Sequence, residues 1–159
     1  MNKVYLSIGG NMGNREAALA KACKLIGEQC GELTSISSLY ETAAWGKNDQ
    51  PAFLNQVLEI NSELEPGQLL KQILKIEKEI GRIRKEKYGP RSIDIDILFF
   101  NNETHDHPSL TIPHPEIQYR RFVLVPMNEI APALVHPVLK KAITELLEEC
   151  PDHLPVKKI

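Results

Sequence analysis

The sequence predicts an α+β fold, a ferredoxin-like βαββαβ core with an antiparallel sheet, helices packed on one face and a C-terminal extension. Three observations predict it. Four stretches carry the alternating or β-branched patterns of strands. Two others carry apolar residues at helical spacing. Their order along the chain is β-α-β-β-α-β, and 159 residues suit a single domain, 1–159, with a real core.

The first strand is read from residues 3–8, where Val4, Leu6 and Ile8 alternate with Lys3, Tyr5 and Ser7. Gly9-Gly10-Asn11-Met12-Gly13-Asn14 follows as a turn. It is not a Walker loop, because no Gly-Lys-Ser/Thr follows the glycines. Asn14 can cap a helix from Arg15 to about Gln29, with Ala18, Leu19, Ala22, Leu25 and Ile26 as its buried stripe and Gly31 as a stop. A second strand is expected over about 34–42. Residues 43–52 form a loop with the only tryptophan, Trp45, which reads either as a lid on the core or as part of a ligand pocket. A third strand over 53–60 sends Leu54, Leu58 and Ile60 one way and Phe53, Asn55 and Val57 the other. Asn55 beside Phe53 suits a flat heterocycle that is stacked and hydrogen-bonded; a surface Asn beside a core Phe is the plainer reading. Pro66 opens a second helix with Leu69, Leu70, Ile73, Ile76 and Ile80 inward, and Gly81 ends it. Glu77 near that end opposes the helix dipole and reads as an ion-pair or ligand residue.

The fourth strand carries the chemistry. Gly89-Pro90 forces an extended chain, and Ile93, Ile95, Ile97 and Phe99 favour a strand. Asp94 and Asp96 then share one face and the three isoleucines the other. Two adjacent carboxylates repel each other and resist burial, and a divalent cation relieves both costs. An acidic strand edge that discourages aggregation is the competing account. Just before the pair, Arg82, Arg84, Lys85, Lys87 and Arg91 are interrupted by the single acid Glu86. Arginine forks match phosphate oxygens and a metal takes carboxylates, so this stretch suits a Mg²⁺-bound polyphosphate.

Residues 101–121 are expected to be irregular, with Pro113 and Pro115 holding His114 in place. Arg120 and Arg121 precede Phe122 and fit a nearby anion or simply solvent. From Phe122 a covering segment packs on the core, and a short amphipathic helix over 140–149 ends the fold.

Composition narrows the function classes. With 42% hydrophobic and 25% charged residues the chain is typical of soluble globular proteins. A net charge of −2 argues against general nucleic-acid binding, and no apolar run matches a membrane span. Cys23, Cys30 and Cys150 lack metal-ligand spacing and read as reduced thiols, and the N-terminus has no signal-peptide core. The expected setting is cytoplasmic, as a monomer with no nucleic-acid or membrane partner.

Several segments together resemble a known family. Gly-Arg-Ile-Arg (81–84) with Tyr-Gly-Pro-Arg-Ser-Ile-Asp-Ile-Asp-Ile-Leu (88–98), the 9–15 segment, Asp49-Gln50-Pro51 with Phe53-Leu54-Asn55, Ile112-Pro113-His114-Pro115 and Arg120-Arg121-Phe122 are similar to the 6-hydroxymethyl-7,8-dihydropterin pyrophosphokinases of folate biosynthesis, in the family's order. The resemblance implies the same fold and transfer of the diphosphate of ATP to the pterin hydroxymethyl group, with AMP released. It implies two Mg²⁺ ions on Asp94 and Asp96, with Arg82 and Arg91 also catalytic. It implies ATP contacts at Glu77, Arg82, Arg84, Tyr88, Arg91, Ile97, Thr111, His114 and Arg120. For the pterin it implies Thr42, Ala43, Trp45, Phe53, Asn55, Asp94 and Phe122, the two phenylalanines sandwiching the ring. The chain departs from the family pattern at Phe53 and Tyr88, where Tyr and Trp are usual, and at Ser109 and Pro115. Two other readings compete: a Mg²⁺-dependent kinase or nucleotidyltransferase acting on another alcohol, and a non-catalytic binding module on the same fold.

Overall fold

The structure, a computed structural model, describes residues 1–43, 50–81 and 92–159. The strand β1 (Asn2–Gly10) lies between two neighbours, and its alternating side chains feed two different cores. Val4, Leu6 and Ile8 enter one; Tyr5 enters the other. The strand runs two residues beyond the predicted end, because Gly9 and Gly10 continue the ladder opposite Asn55 and Leu54 instead of opening the turn. Helix α1 (Arg15–Gln29) starts where its cap predicts: Asn14 Oδ1 accepts a hydrogen bond from the Ala17 amide at 3.1 Å.

The expected second strand is two strands, β2 (Glu32–Ile36) and β3 (Tyr40–Thr42), both antiparallel to β4 (Phe53–Ser62). Ile36 faces Leu58 and Tyr40 faces Asn55, so four steps on one chain oppose three on the other. The surplus residue makes a bulge at 37–39. Ser37 makes this tolerable: its amide donates to the Val57 carbonyl and its Oγ accepts from the Val57 amide, each at 2.9 Å. Helix α2 (Pro66–Ile80) begins with the Glu65 amide bonded to Gln68 Oε1 and ends at Gly81, whose φ of 91° is the left-handed conformation that glycine adopts freely. Strand β5 (Asp94–Phe100) follows.

The sheet order is β5-β1-β4-β3-β8, with β2 beside the other half of β4. The short strand β8 (Lys157–Lys158), which no sequence pattern announces, pairs with β3. Both long helices cover one face, where Leu19, Ile26, Leu69, Ile73 and Ile76 meet the inward residues of the strands. This is the ferredoxin-like arrangement predicted. The C-terminal extension covers part of the other face. Helices α3 (Arg121–Ile130) and α4 (Ile143–Glu149) bring Val123, Leu124, Met127, Ile143 and Leu146 against Tyr5, Val57, Leu98 and Phe99. The β1–β5 register shifts between Tyr5 and Leu6, which lets both Leu98 and Phe99 join this second core while Phe100 joins the first.

Two expectations need correcting. Residues 101–121 are not wholly irregular: a hairpin of β6 (His105–His107) and β7 (Leu110–Ile112) and a 3-10 turn at Ile117–Tyr119 occupy them. Three-residue strands are too short to leave a periodic signal. The last helix also starts at Ile143 rather than near residue 140, since Lys140 adopts φ 60° and cannot lie in a right-handed helix.

Candidate active site

On the sheet face opposite the long helices, the register brings residues from four strands into one row. Asp94 on β5 faces Gly9 on β1, Gly9 faces Asn55 on β4, and Asn55 faces Tyr40 on β3. Asp96 faces Ser7 one step along the same face. Ile93, Ile95 and Ile97 are buried in the helix-side core, so the alternation that sequence alone suggested holds here, and the two aspartates lie half-exposed on the other side.

Gly9 is the floor of this row. A Cβ at that position would stand 2.7 Å from Asn55 Oδ1, closer than real carbon atoms come. Without a side chain there, Asn55 lies down over β1, and its Nδ2 donates to Thr42 Oγ1 at 2.9 Å. Asn55 and Thr42 are 7% and 5% exposed, so this is a buried polar recess. Phe53, directly opposite Thr42, is half-buried on the same face, and Ala43 is exposed just past β3.

Glu77 sits behind the aspartates. It is buried on α2, and its Oε2 accepts a hydrogen bond from the Ile95 amide, between Asp94 and Asp96, at 2.8 Å. Ile95 directs its amide away from β1, and main-chain groups two residues apart point the same way. The main chain of Ile97 therefore lies along the outer edge of β5, while its side chain is packed in the core.

His114 is fixed from both ends. Its amide donates to the Leu98 carbonyl at 3.0 Å, and its Nδ1 accepts from the Glu116 amide at 3.1 Å. Burial, and then the positive charge of Arg120, push its pKa down to about 4, with Glu116 and Asp94 pulling weakly the other way. The ring is thus neutral near pH 7, and since Nδ1 accepts, the proton is on Nε2. His114 is therefore a hydrogen-bond donor at fixed orientation. Thr111 and His114 both line an open cleft of about 390 Å³ bounded also by Gln118, His136 and Leu139. Arg120 caps α3 and lies with its guanidinium carbon 5.7 Å from the ring centre of Phe122, a cation–π contact that holds both.

Trp45, Arg82, Arg84, Tyr88 and Arg91, all named from the sequence, lie outside the described residues. Three further residues escaped sequence reasoning. Glycine inside a strand marks close backbone approach, but Gly9 carries no such signal in the sequence, which places it in the turn after the first strand. Asn11, 2% exposed, donates from Nδ2 to Gln50 Oε1 at 3.1 Å and to the Pro51 carbonyl at 3.0 Å. Arg15 reaches the Ala52 carbonyl at 3.0 Å and Glu41 at 2.7 Å. Both tie the turn after β1 to the segment that leads into β4, and nothing local in the sequence predicts such long-range ties. Among the described residues no group of three or more His, Cys, Asp or Glu side chains is placed to hold a metal.

The structure is thus an α+β domain whose ferredoxin-like sheet carries the two aspartates and the Thr42–Asn55 recess on the face opposite the long helices. The chain belongs to the 7,8-dihydro-6-hydroxymethylpterin-pyrophosphokinase (HPPK) family, which it matches over residues 5–132. It is 42% identical over 149 residues to the 2-amino-4-hydroxy-6-hydroxymethyldihydropteridine pyrophosphokinase of Aquifex aeolicus, covering 94% of this chain and 92% of that protein. The enzyme of the same name from Haemophilus influenzae is 39% identical over 158 residues, 99% of this chain and 98% of that protein. A crystal structure of wild-type Plasmodium falciparum HPPK-DHPS with SDX-DHP superposes with a TM-score of 0.75 at 20% identity, covering 94% of this chain and 43% of that one. That likeness supports the fold.

Proposed function

We propose that this chain transfers the diphosphate of ATP to the hydroxymethyl group of 6-hydroxymethyl-7,8-dihydropterin, giving the pterin diphosphate and AMP in folate biosynthesis. The observation that carries the reading is the row Asp94–Gly9–Asn55, which sets a buried hydrogen-bonding recess one strand away from a carboxylate pair. A flat heterocycle read by Asn55 and Thr42 has its substituent directed toward the aspartates. Phe53 and Phe122 stack on the ring, and Ala43 and Trp45 add contacts from the adjoining loop.

Two carboxylates with no third protein ligand among the described residues suit Mg²⁺, which keeps waters and substrate phosphates as its remaining ligands. We assign two Mg²⁺ ions to Asp94 and Asp96; when bound they neutralise phosphate charge and lower the pKa of the attacking hydroxyl. The protein's own part is positioning and electrostatics. Glu77 holds the aspartate strand through the Ile95 amide and so supports the ATP site from behind. His114, neutral, donates Nε2–H to phosphate without adding charge, and Arg120 offers a guanidinium held over Phe122. Thr111 and the Ile97 main chain receive the nucleoside. Arg82 and Arg91 stabilise the transferring and leaving phosphates, with Arg84 and Tyr88 as further nucleotide contacts. Free thiols at Cys23, Cys30 and Cys150 suit the reducing cytoplasm.

A titration tests the reading. In the presence of Mg²⁺ and a non-hydrolysable ATP analogue, the wild-type protein is expected to bind the pterin and Asn55→Ala to bind it at least about tenfold more weakly. Equal binding by both proteins would remove Asn55 from the site, and no binding by the wild type would remove the substrate.

A further inference from the structure

Glu129 stands in the last turn of α3, far along the helix from Arg120 and Phe122, on the protein surface. Its carboxylate nevertheless receives three hydrogen bonds from the bulge and start of β3. Oε1 accepts from the Ser38 amide at 2.9 Å and from the Tyr40 hydroxyl at 2.8 Å, and Oε2 accepts from Ser38 Oγ at 2.7 Å. The bulge at 37–39 now has a purpose: it turns the Ser38 amide toward α3.

We propose that Glu129 is a positioning residue for the pterin site, latching α3 to β3 so that the Phe122 ring is held at a fixed separation from the Thr42–Asn55 recess. The proposal rests on the pterin reading above. The two walls of the slot belong to different layers. Phe122 rides on α3, while Thr42, Phe53 and Asn55 ride on the β3–β4 ladder, in which Tyr40 is the register partner of Asn55. The contacts of α3 with the sheet through Val123, Leu124 and Met127 are apolar and non-directional. They hold the layers together by close packing. Three hydrogen bonds to one carboxylate are directional and charge-assisted, and they join the helix to the strand that carries the recess. A ring sandwiched between two walls is sensitive to their spacing, because small misplacements of binding groups carry large penalties.

The test compares Glu129→Ala, Glu129→Gln and Tyr40→Phe with wild type in direct pterin titrations, steady-state kinetics and thermal unfolding. Glu129→Ala is expected to raise the pterin Kd and KM about tenfold with kcat changed less than about threefold. Glu129→Gln keeps an acceptor oxygen and is expected to recover most of the affinity; Tyr40→Phe, which removes one of the three bonds, is expected to fall between. A Glu129→Ala protein that stays folded at the assay temperature and binds the pterin like wild type would show the carboxylate to be a structural brace only, and overturn the proposal by itself. If Glu129→Ala does not fold, Tyr40→Phe decides: a folded Tyr40→Phe protein with the pterin Kd of wild type overturns it. A wild-type protein that binds no pterin overturns the substrate reading and this proposal together.

Discussion

Glu77 accepts a hydrogen bond from the amide of Ile95, the residue that separates Asp94 from Asp96. One buried carboxylate on α2 thus holds the backbone of the acidic strand from the side opposite the acids, and fixes where both carboxylates project. Removing it leaves a buried amide without this acceptor. Glu77→Ala is expected to cost about 1–3 kcal/mol of stability, read by urea unfolding, and to weaken Mg²⁺–ATP binding. Glu77→Gln, which keeps an acceptor oxygen, should lose much less.

Gly9→Ala tests the floor of the recess. The added methyl would press on Asn55 Oδ1 at 2.7 Å and on the Leu54 carbonyl at 3.2 Å. Asn55 must move, and its bond to Thr42 goes with it. The expected result is a rise in KM for the pterin of about tenfold or more with KM for ATP little changed, measured by steady-state kinetics. Equal changes in both would place the effect on the whole sheet rather than the recess.

Asp96→Ala removes half of the two-carboxylate donor set. Turnover is expected to be abolished and Mg²⁺–ATP binding weakened while the circular dichroism spectrum stays native, since Asp96 is half-exposed and belongs to neither core. Near-normal activity would remove the metal assignment. The companion change Arg82→Ala is expected to lower kcat far more than ATP affinity, as a contact made mainly in the transition state would.

His114 gives the metal-free protein an acid limb. Its pKa of about 4 in the fold lies below the ordinary 6.5, so the unfolded chain binds a proton first as pH falls. Its contribution is absent above about pH 6.5, and stability is lost progressively from there down to about pH 4. His136, also pushed down by burial, acts in the same direction. His114→Gln, which cannot titrate, is expected to show a shallower fall in Tm between pH 6.5 and pH 4. An unchanged slope would show that the ring titrates in the native protein as it does in the unfolded chain.

The parts of this protein legible in its sequence are those governed by local periodicity. The cap at Asn14, the stripe of α2 and the opposed faces of Asp94/Asp96 and the isoleucines all follow from spacings of three, four or two residues. The bulge at 37–39 was not legible, because it exists only in the pairing with β4, where Ile36 faces Leu58 and Tyr40 faces Asn55. Nor was β8, two lysines whose only strand signal is the exposed edge of β3 they pair with. At the site, the aspartates, Phe53, Asn55 and His114 stood out by residue type. Gly9 and Glu129 did not, since one acts by lacking a side chain and the other by reaching across layers.

The most direct measurement is product analysis after mixing the protein with ATP, Mg²⁺ and 6-hydroxymethyl-7,8-dihydropterin. The account predicts AMP and a diphosphorylated pterin appearing in equal amounts, and no AMP when the pterin is left out. ADP or pyrophosphate in place of AMP would contradict it and assign the aspartate pair to a different phosphoryl or nucleotidyl transfer.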